Sequence, residues 1–163
     1  MVLSMNHASA RRAEVIPTTK VDAASDSAHH WLGVVSRAHV ERGVAGGFAQ
    51  VCHGKAGPLR RMQPGDWLIY YSPSTEMRGG AKLQAFTALG QMLDDRIYPY
   101  DMGDGFVPYR RNVRYEPVRP VPLEALSTEL HLTARPNWGI ALRRGHLALD
   151  AHDFALIAEA LRG

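Results

Sequence analysis

The sequence is short of cysteine, of long apolar runs and of paired carboxylates. A single cysteine, Cys52, stands among 163 residues, so no internal disulfide is available and the usual reason to expect a secreted, oxidising setting is missing. No stretch approaches the roughly 18 uninterrupted apolar residues of a membrane-spanning helix, and the first residues lack an apolar core of signal-peptide length. A soluble, cytoplasmic protein with no membrane partner is therefore expected. His39, Cys52 and His53 do not make the paired spacing of a structural zinc site, so no metal is expected. Gly43 to Gly47 lacks both the spacing and the following Lys-Ser or Lys-Thr of a phosphate loop. No pair of carboxylates marks an acid and a base, no motif supports Cys52 as a nucleophile, and no cofactor is implied. Repeats and low-complexity tracts are absent too.

What is present is enough for one domain: 163 residues with 45% apolar side chains can bury a real core. The formal net charge is +3, a mild excess whose position says more than its size. Lys55, Arg60 and Arg61 form one group, Arg110, Arg111, Arg114 and Arg119 a second, and Arg135, Arg143 and Arg144 a third. Clustered arginine is what a phosphate backbone uses, although solvated strand and helix faces carry such charges as well.

Residues 1–28 mix Ala, Ser, Thr, Asp and single charges without helical or strand period, and a disordered tail is expected there. From residue 29 to 163 the texture is that of a folded domain, with short apolar runs punctuated by Gly and Pro. Trp31 to Val35 predicts a strand, and Ser36 sits where an N-cap opens a helix that Gly43, Gly46 and Gly47 break. Phe48 to His53 predicts a second strand, and Pro58, Leu59 and Met62 one helical turn. Trp67 to Tyr71 predicts a buried strand ended by Pro73, with Leu83 to Leu93 as its antiparallel neighbour. Val107 to Val118 predicts a strand with one wet, cationic face. A short helix after Pro122, a connection over His131 to Asn137 and a strand over Gly145 to Leu149 follow. Asp150 caps a last helix whose Phe154, Ile157, Ala158 and Leu161 make one apolar stripe. The fold class is α+β: a small curved β-barrel or strongly curved sheet with short helices at its ends and a C-terminal amphipathic helix.

Several motifs in series are more specific than any of these periods. They are Trp31-Leu-Gly-Val-Val-Ser36-Arg-Ala-His39, Gln50-Val-Cys52-His53-Gly-Lys55, Pro58-Leu-Arg-Arg-Met62 and Pro64-Gly-Asp-Trp-Leu-Ile-Tyr70-Tyr71-Ser72-Pro73. Later come Leu83-Gln84-Ala-Phe86-Thr-Ala-Leu-Gly90, Gly105-Phe106-Val-Pro108-Tyr109-Arg110-Arg111, Pro120-Val-Pro-Leu123 and Asn137-Trp138-Gly139. In this order they resemble the EVE-domain family over residues 31–162. The resemblance implies a PUA-like barrel related to YTH readers of methylated adenine and to ASCH domains. It also implies a nucleic-acid partner, DNA or RNA, bearing a modified base such as methylated or hydroxymethylated cytosine. A monomer is expected.

By that resemblance the base pocket is formed by Ser36, Gln50, Cys52, His53, Tyr71, Phe106, Tyr109 and Trp138. Ser36 and Gln50 would read a base edge, Phe106 or Tyr109 would stack on it, and Trp138 would cover the mouth. Lys55, Arg110, Arg111 and Arg114 would take the flanking phosphates. Tyr70 and Tyr71 are strand neighbours, so they face opposite sides. Trp31 and Trp67 lie in aliphatic runs and are expected in the core. The other reading is an ASCH-like hydrolase acting on RNA or an acylated nucleoside, with Lys55, Tyr71 and Arg110 as base and oxyanion stabilisers.

Overall fold

The computed structural model describes residues 28–163, so the tail expected over 1–28 lies, apart from Ala28, outside the described residues. Strand β3, Trp67–Ser74, is buried at five consecutive positions from Leu68 to Ser72. Leu68 and Tyr70 face one apolar cluster while Ile69 and Tyr71 face another. That alternation is what a period of two imposes on a strand covered on both sides. Around it lies a seven-stranded sheet. Strand β1, His30–Val34, pairs with β3 in parallel, and β4, Lys82–Pro99, pairs with it antiparallel. Beyond β4 come β5, Tyr109–Tyr115, and the two-residue β2, Phe48–Ala49; beyond β1 comes β7, His146–Leu149. The short β6, Val121–Pro122, pairs with β4.

The sheet is open, with β2 and β7 as its ends, and does not close into the expected barrel. Closure fails because β2 stops after Ala49: Cys52 and His53 take left-handed φ of 50° and 59°, which carries the chain out of the ladder. The strand expected over Phe48 to His53 is thereby cut to its first two residues. Pro73 does not end β3; a register irregularity between Ser72 and Ser74 absorbs its missing N–H.

Helix α1, Arg37–Gly46, starts where expected, with Ser36 Oγ accepting from His39 N at 3.4 Å, and ends at Gly47, whose φ of 70° is left-handed. Gly43 and Gly46 do not break it, and Gly43 is there because a Cβ would sit 2.7 Å from Phe48 O. Helix α2, Ala56–Arg61, covers the same face of the sheet, where Leu59 joins Val40, Leu68 and Tyr70 in one cluster. The other face is covered by a 3-10 turn, Leu123–Leu126, the one-turn helices α3, His131–Ala134, and α4, Trp138–Leu142, and the long α5, Ala151–Arg162. Ile157, Ala158 and Leu161 of α5 are buried there. Asp150 caps α5 by accepting from Asp153 N at 2.8 Å. Asp153, itself buried, accepts from the main-chain N–H groups of His131 and Leu132 at 2.8 Å each and so ties α3 to α5. No helix among the described residues is long and apolar enough to cross a membrane.

The wet cationic face expected on Val107 to Val118 is not found, because Arg110 and Arg111 are 8% and 1% exposed. Arg111 stands under the C-terminus of α2. Its guanidinium donates to Leu59 O at 2.6 Å, to Met62 O, and to Asp94 O at 2.8 and 2.6 Å. Helix-end carbonyls have no partner within the helix, and a buried guanidinium supplies one. Arg111→Met should lower stability by about 3 to 5 kcal/mol in urea unfolding, because it leaves these acceptors buried and unpaired.

His146 is the converse case. It is 3% exposed, stacked on Trp31 at 4.9 Å, and neither ring nitrogen has a hydrogen-bond partner among the described residues. Burial, helped by Arg61, pushes its pKa down to about 4. The unfolded imidazole protonates first, near 6.5, so this residue's contribution is complete above that pH and is lost as pH falls toward 4. Unfolding measured between pH 7.5 and 4.5 should show a decline of about 3 kcal/mol that His146→Leu flattens.

Candidate functional site

The parallel pair β1 and β3 creates the site. Val35 N donates to Tyr71 O at 3.1 Å; beyond it Ser36 turns the chain into α1 while β3 runs on to Ser74. Chains that diverge past the carboxyl ends of parallel strands leave a crevice between them. A cavity of about 800 Å³ opens there, within the size range of small-ligand sites. A second cavity, about 360 Å³, lies beside α1, carries Glu41 and Glu116, and gathers none of the expected residues.

The floor of the larger cavity is polar. Gln50 is 4% exposed, and its Oε1 accepts from Arg110 Nε at 3.0 Å. That guanidinium lies between the rings of Phe48 and Tyr100, 3.8 and 3.7 Å from their centroids. Gln50 O accepts from His39 Nε2 at 2.8 Å. Burial lowers the His39 pKa, Arg42 and Arg110 lower it further, and the bond to Gln50 only partly offsets them, so the ring is neutral.

One wall is a strained turn. Cys52, His53 and Gly54 have successive φ values of 50°, 59° and 80°, and non-glycine residues hold such angles at a cost of about 1 to 3 kcal/mol each. Gly54 cannot be replaced, since a Cβ would lie 2.3 Å from Pro108 Cβ. Burial pushes the Cys52 pKa up, against the pull of Lys55 and Arg61, and the thiol donates to Arg144 O at 3.5 Å. The open edges of the sheet meet at this contact. Apolar surface comes from Met102 and Phe106 of the β4–β5 loop, from Tyr71, and from Trp138.

Arg42, Lys55, Arg143 and Arg144 stand among the lining residues, and among the described residues the lining holds no Asp or Glu. A cleft lined by one sign of charge concentrates counter-charged ligands. Seven of the eight expected pocket residues gather here, together with Lys55. Tyr109 does not; it alternates with Arg110 along β5, so it points away and is 41% exposed. Arg110 lies beneath the floor, Arg111 is buried under α2, and Arg114 donates to Gln91 Oε1 outside the cavity, so these three correct the expected phosphate ligands. The cations that line the cavity beside Lys55 are Arg42, Arg143 and Arg144. The last two were visible as a cluster; Arg42 carried no signal beyond lying one helical turn from His39.

The EVE domain family matches residues 29–160. A UPF0310 protein of Streptococcus mutans serotype c is 49% identical over 138 residues, covering 81% of this chain and 96% of that one. The UPF0310 protein YdcG of Bacillus subtilis is 43% identical over 134 residues, covering 82% and 92%. Among solved structures, the YTH domain of Zygosaccharomyces rouxii MRB1 in complex with N6-methyladenosine RNA is similar with a TM-score of 0.57 at 14% identity, over 85% of this chain and 87% of that one. A hypothetical protein from Leishmania major is similar with a TM-score of 0.51 at 11% identity, over 83% and 95%. The two structures share the fold, and with its family matched over most of its length and relatives this close, the chain belongs to the EVE domain family.

Proposed function

We propose that this protein is a non-catalytic nucleic-acid-binding module that takes a modified base into the cavity beside β1 and β3. The observation that carries the reading is the composition of that cavity: a buried uncharged amide at the floor, aromatic and thioether walls, and four cations without a carboxylate. A base that leaves its stack needs aromatic faces and a partner for its polar edge, and its neighbouring phosphates need cations. Trp138 and Phe106 fit the first need, Gln50 and Ser36 the second, and Arg42, Lys55, Arg143 and Arg144 the third. The YTH domain of like fold, solved with N6-methyladenosine RNA, supports the same use of this architecture.

The non-catalytic part rests on the groups available. Of the trio that a hydrolase would use, the Arg110 guanidinium is occupied by Gln50 and its two aromatic neighbours, and Tyr71 has its pKa raised by burial. The thiol of Cys52 is likewise held protonated. A nucleophile or base needs the opposite shift near neutral pH.

The test is a binding comparison with DNA and RNA oligonucleotides carrying methylated or hydroxymethylated cytosine or methylated adenine, beside unmodified controls. One modification should be preferred, and Trp138→Ala and Phe106→Ala should each weaken that complex about tenfold, since a stacked base contributes about 1 to 3 kcal/mol. Arg143→Ala with Arg144→Ala should weaken modified and unmodified strands equally and reduce the salt dependence by about two counterions. Equal binding of modified and unmodified strands by the wild type would sink the reading, because phosphate contacts carry no base information.

A further inference from the structure

The rim and the walls of the cavity do not say which edge of a base it accepts; Gln50 does. A glutamine side chain carries an acceptor and a pair of donors, and its neighbours settle which one meets a ligand. Here the neighbour is Arg110, which can only donate. Its Nε lies 3.0 Å from Gln50 Oε1. Phe48 and Tyr100 on its two faces keep the guanidinium from turning aside. Reversing the amide would set donor against donor at a position 4% exposed, where an unmet donor is costly. The amide nitrogen is therefore left toward the cavity, where its one hydrogen-bond partner among the described residues is Met102 Sδ at 3.9 Å, a weak acceptor. Ser36 adds a further donor: its oxygen accepts from His39 N through one lone pair, and its O–H can turn to a ligand.

We infer that Gln50 is the specificity-determining residue of this site: oriented by Arg110, it presents N–H donors and no acceptor, and so admits bases whose pairing edge keeps an open ring-nitrogen lone pair. The inference rests on the base-reading proposal and deepens it. The admitted class is cytosines and adenines modified on a ring carbon or on the exocyclic amine, with the added group against Met102, Phe106 and Trp138. The excluded class is the same two bases alkylated at the pairing-edge ring nitrogen. Those lack the lone pair, and they are cationic, which the four cations of the lining disfavour. A site built around a buried donor rejects a ligand that leaves it unpaired.

The experiment uses the full chain and oligonucleotides identical except at one position, which holds 5-methylcytosine, N6-methyladenine, 3-methylcytosine, 1-methyladenine or an abasic site. The quantity read is affinity relative to the abasic strand, which cancels effects on phosphate binding. The best carbon- or amine-methylated base should exceed the abasic strand by about tenfold or more, the scale of one or two hydrogen bonds, and the ring-nitrogen-methylated bases should not exceed it. Gln50→Glu keeps the size of the side chain and an acceptor for Arg110 but removes the donors, and should bring the best ratio close to one while its thermal midpoint stays near the wild-type value. Ring-nitrogen-methylated bases binding as well as the best ligand would overturn the inference with no variant needed. So would a ratio that survives Gln50→Glu and is abolished by Trp138→Ala, an outcome that leaves the pocket as a reader without Gln50. A wild type that prefers no base to the abasic strand removes the base-reading proposal and this inference together.

Discussion

Two guanidinium groups on adjacent residues of β5 are buried, and alternation along the strand sends them to opposite faces of the sheet. Neither can remain without acceptors. Arg111 finds main-chain carbonyls: those of Leu59 and Met62 at the end of α2, and that of Asp94 in β4. Arg110 finds the Gln50 side chain and two aromatic rings. One arginine thus anchors the helix that follows the strained turn, and the other positions the amide that precedes it. The turn from Cys52 to Gly54 is held from both ends, which is how two left-handed non-glycine residues persist in it.

The site follows from that arrangement together with one topological choice. Because β1 and β3 are parallel, their carboxyl ends open on the same side, and the cap of α1, the left-handed turn and the end of β3 converge there. The unclosed sheet contributes as well. Its two edges approach each other at the Cys52 to Arg144 contact rather than through a ladder, so the chain flanking each edge is free to line a cavity. A closed barrel would have spent those backbone groups on strand pairing.

Much of this was legible in the sequence, for identifiable reasons. Trp67 to Tyr71 has the continuous apolar texture of a doubly covered strand, Ser36 and Asp150 stand where caps belong, and the stripe of the last helix has a clean period. The motif series brought seven pocket residues into one group without any distance being known. What was not legible depends on tertiary pairing. An arginine on a strand looks the same in sequence whether it meets water or carbonyls, so Arg110 and Arg111 read as cationic surface although both are buried. Tyr109 is turned away from the cavity by the phase of β5, which pairing with β4 sets, while Phe106 lies in the loop before that strand. Cys52 and His53 have no local signal for a left-handed backbone; the conformation is imposed by Gly54 packing on Pro108 and by Gln50 held at its bond to Arg110.

Rigidity and charge are distributed unevenly over the cavity, and that unevenness bears on how a strand would be held. At the floor, buried Gln50 is held at its main-chain oxygen by half-buried His39 and at its amide oxygen by buried Arg110. At the rim, Arg42, Lys55, Arg143 and Arg144 are exposed side chains. Exposed cations tolerate many backbone paths and act through screened, long-range attraction, whereas an oriented buried amide tolerates few ligand geometries. On the proposed reading, capture of a strand and choice of its base would fall to different residues, and a change in one need not disturb the other. Strand affinity would be set by the arginines of α1 and of the turn before β7. Base discrimination would be set on the far side of the sheet's open end, by a glutamine that an arginine keeps from turning.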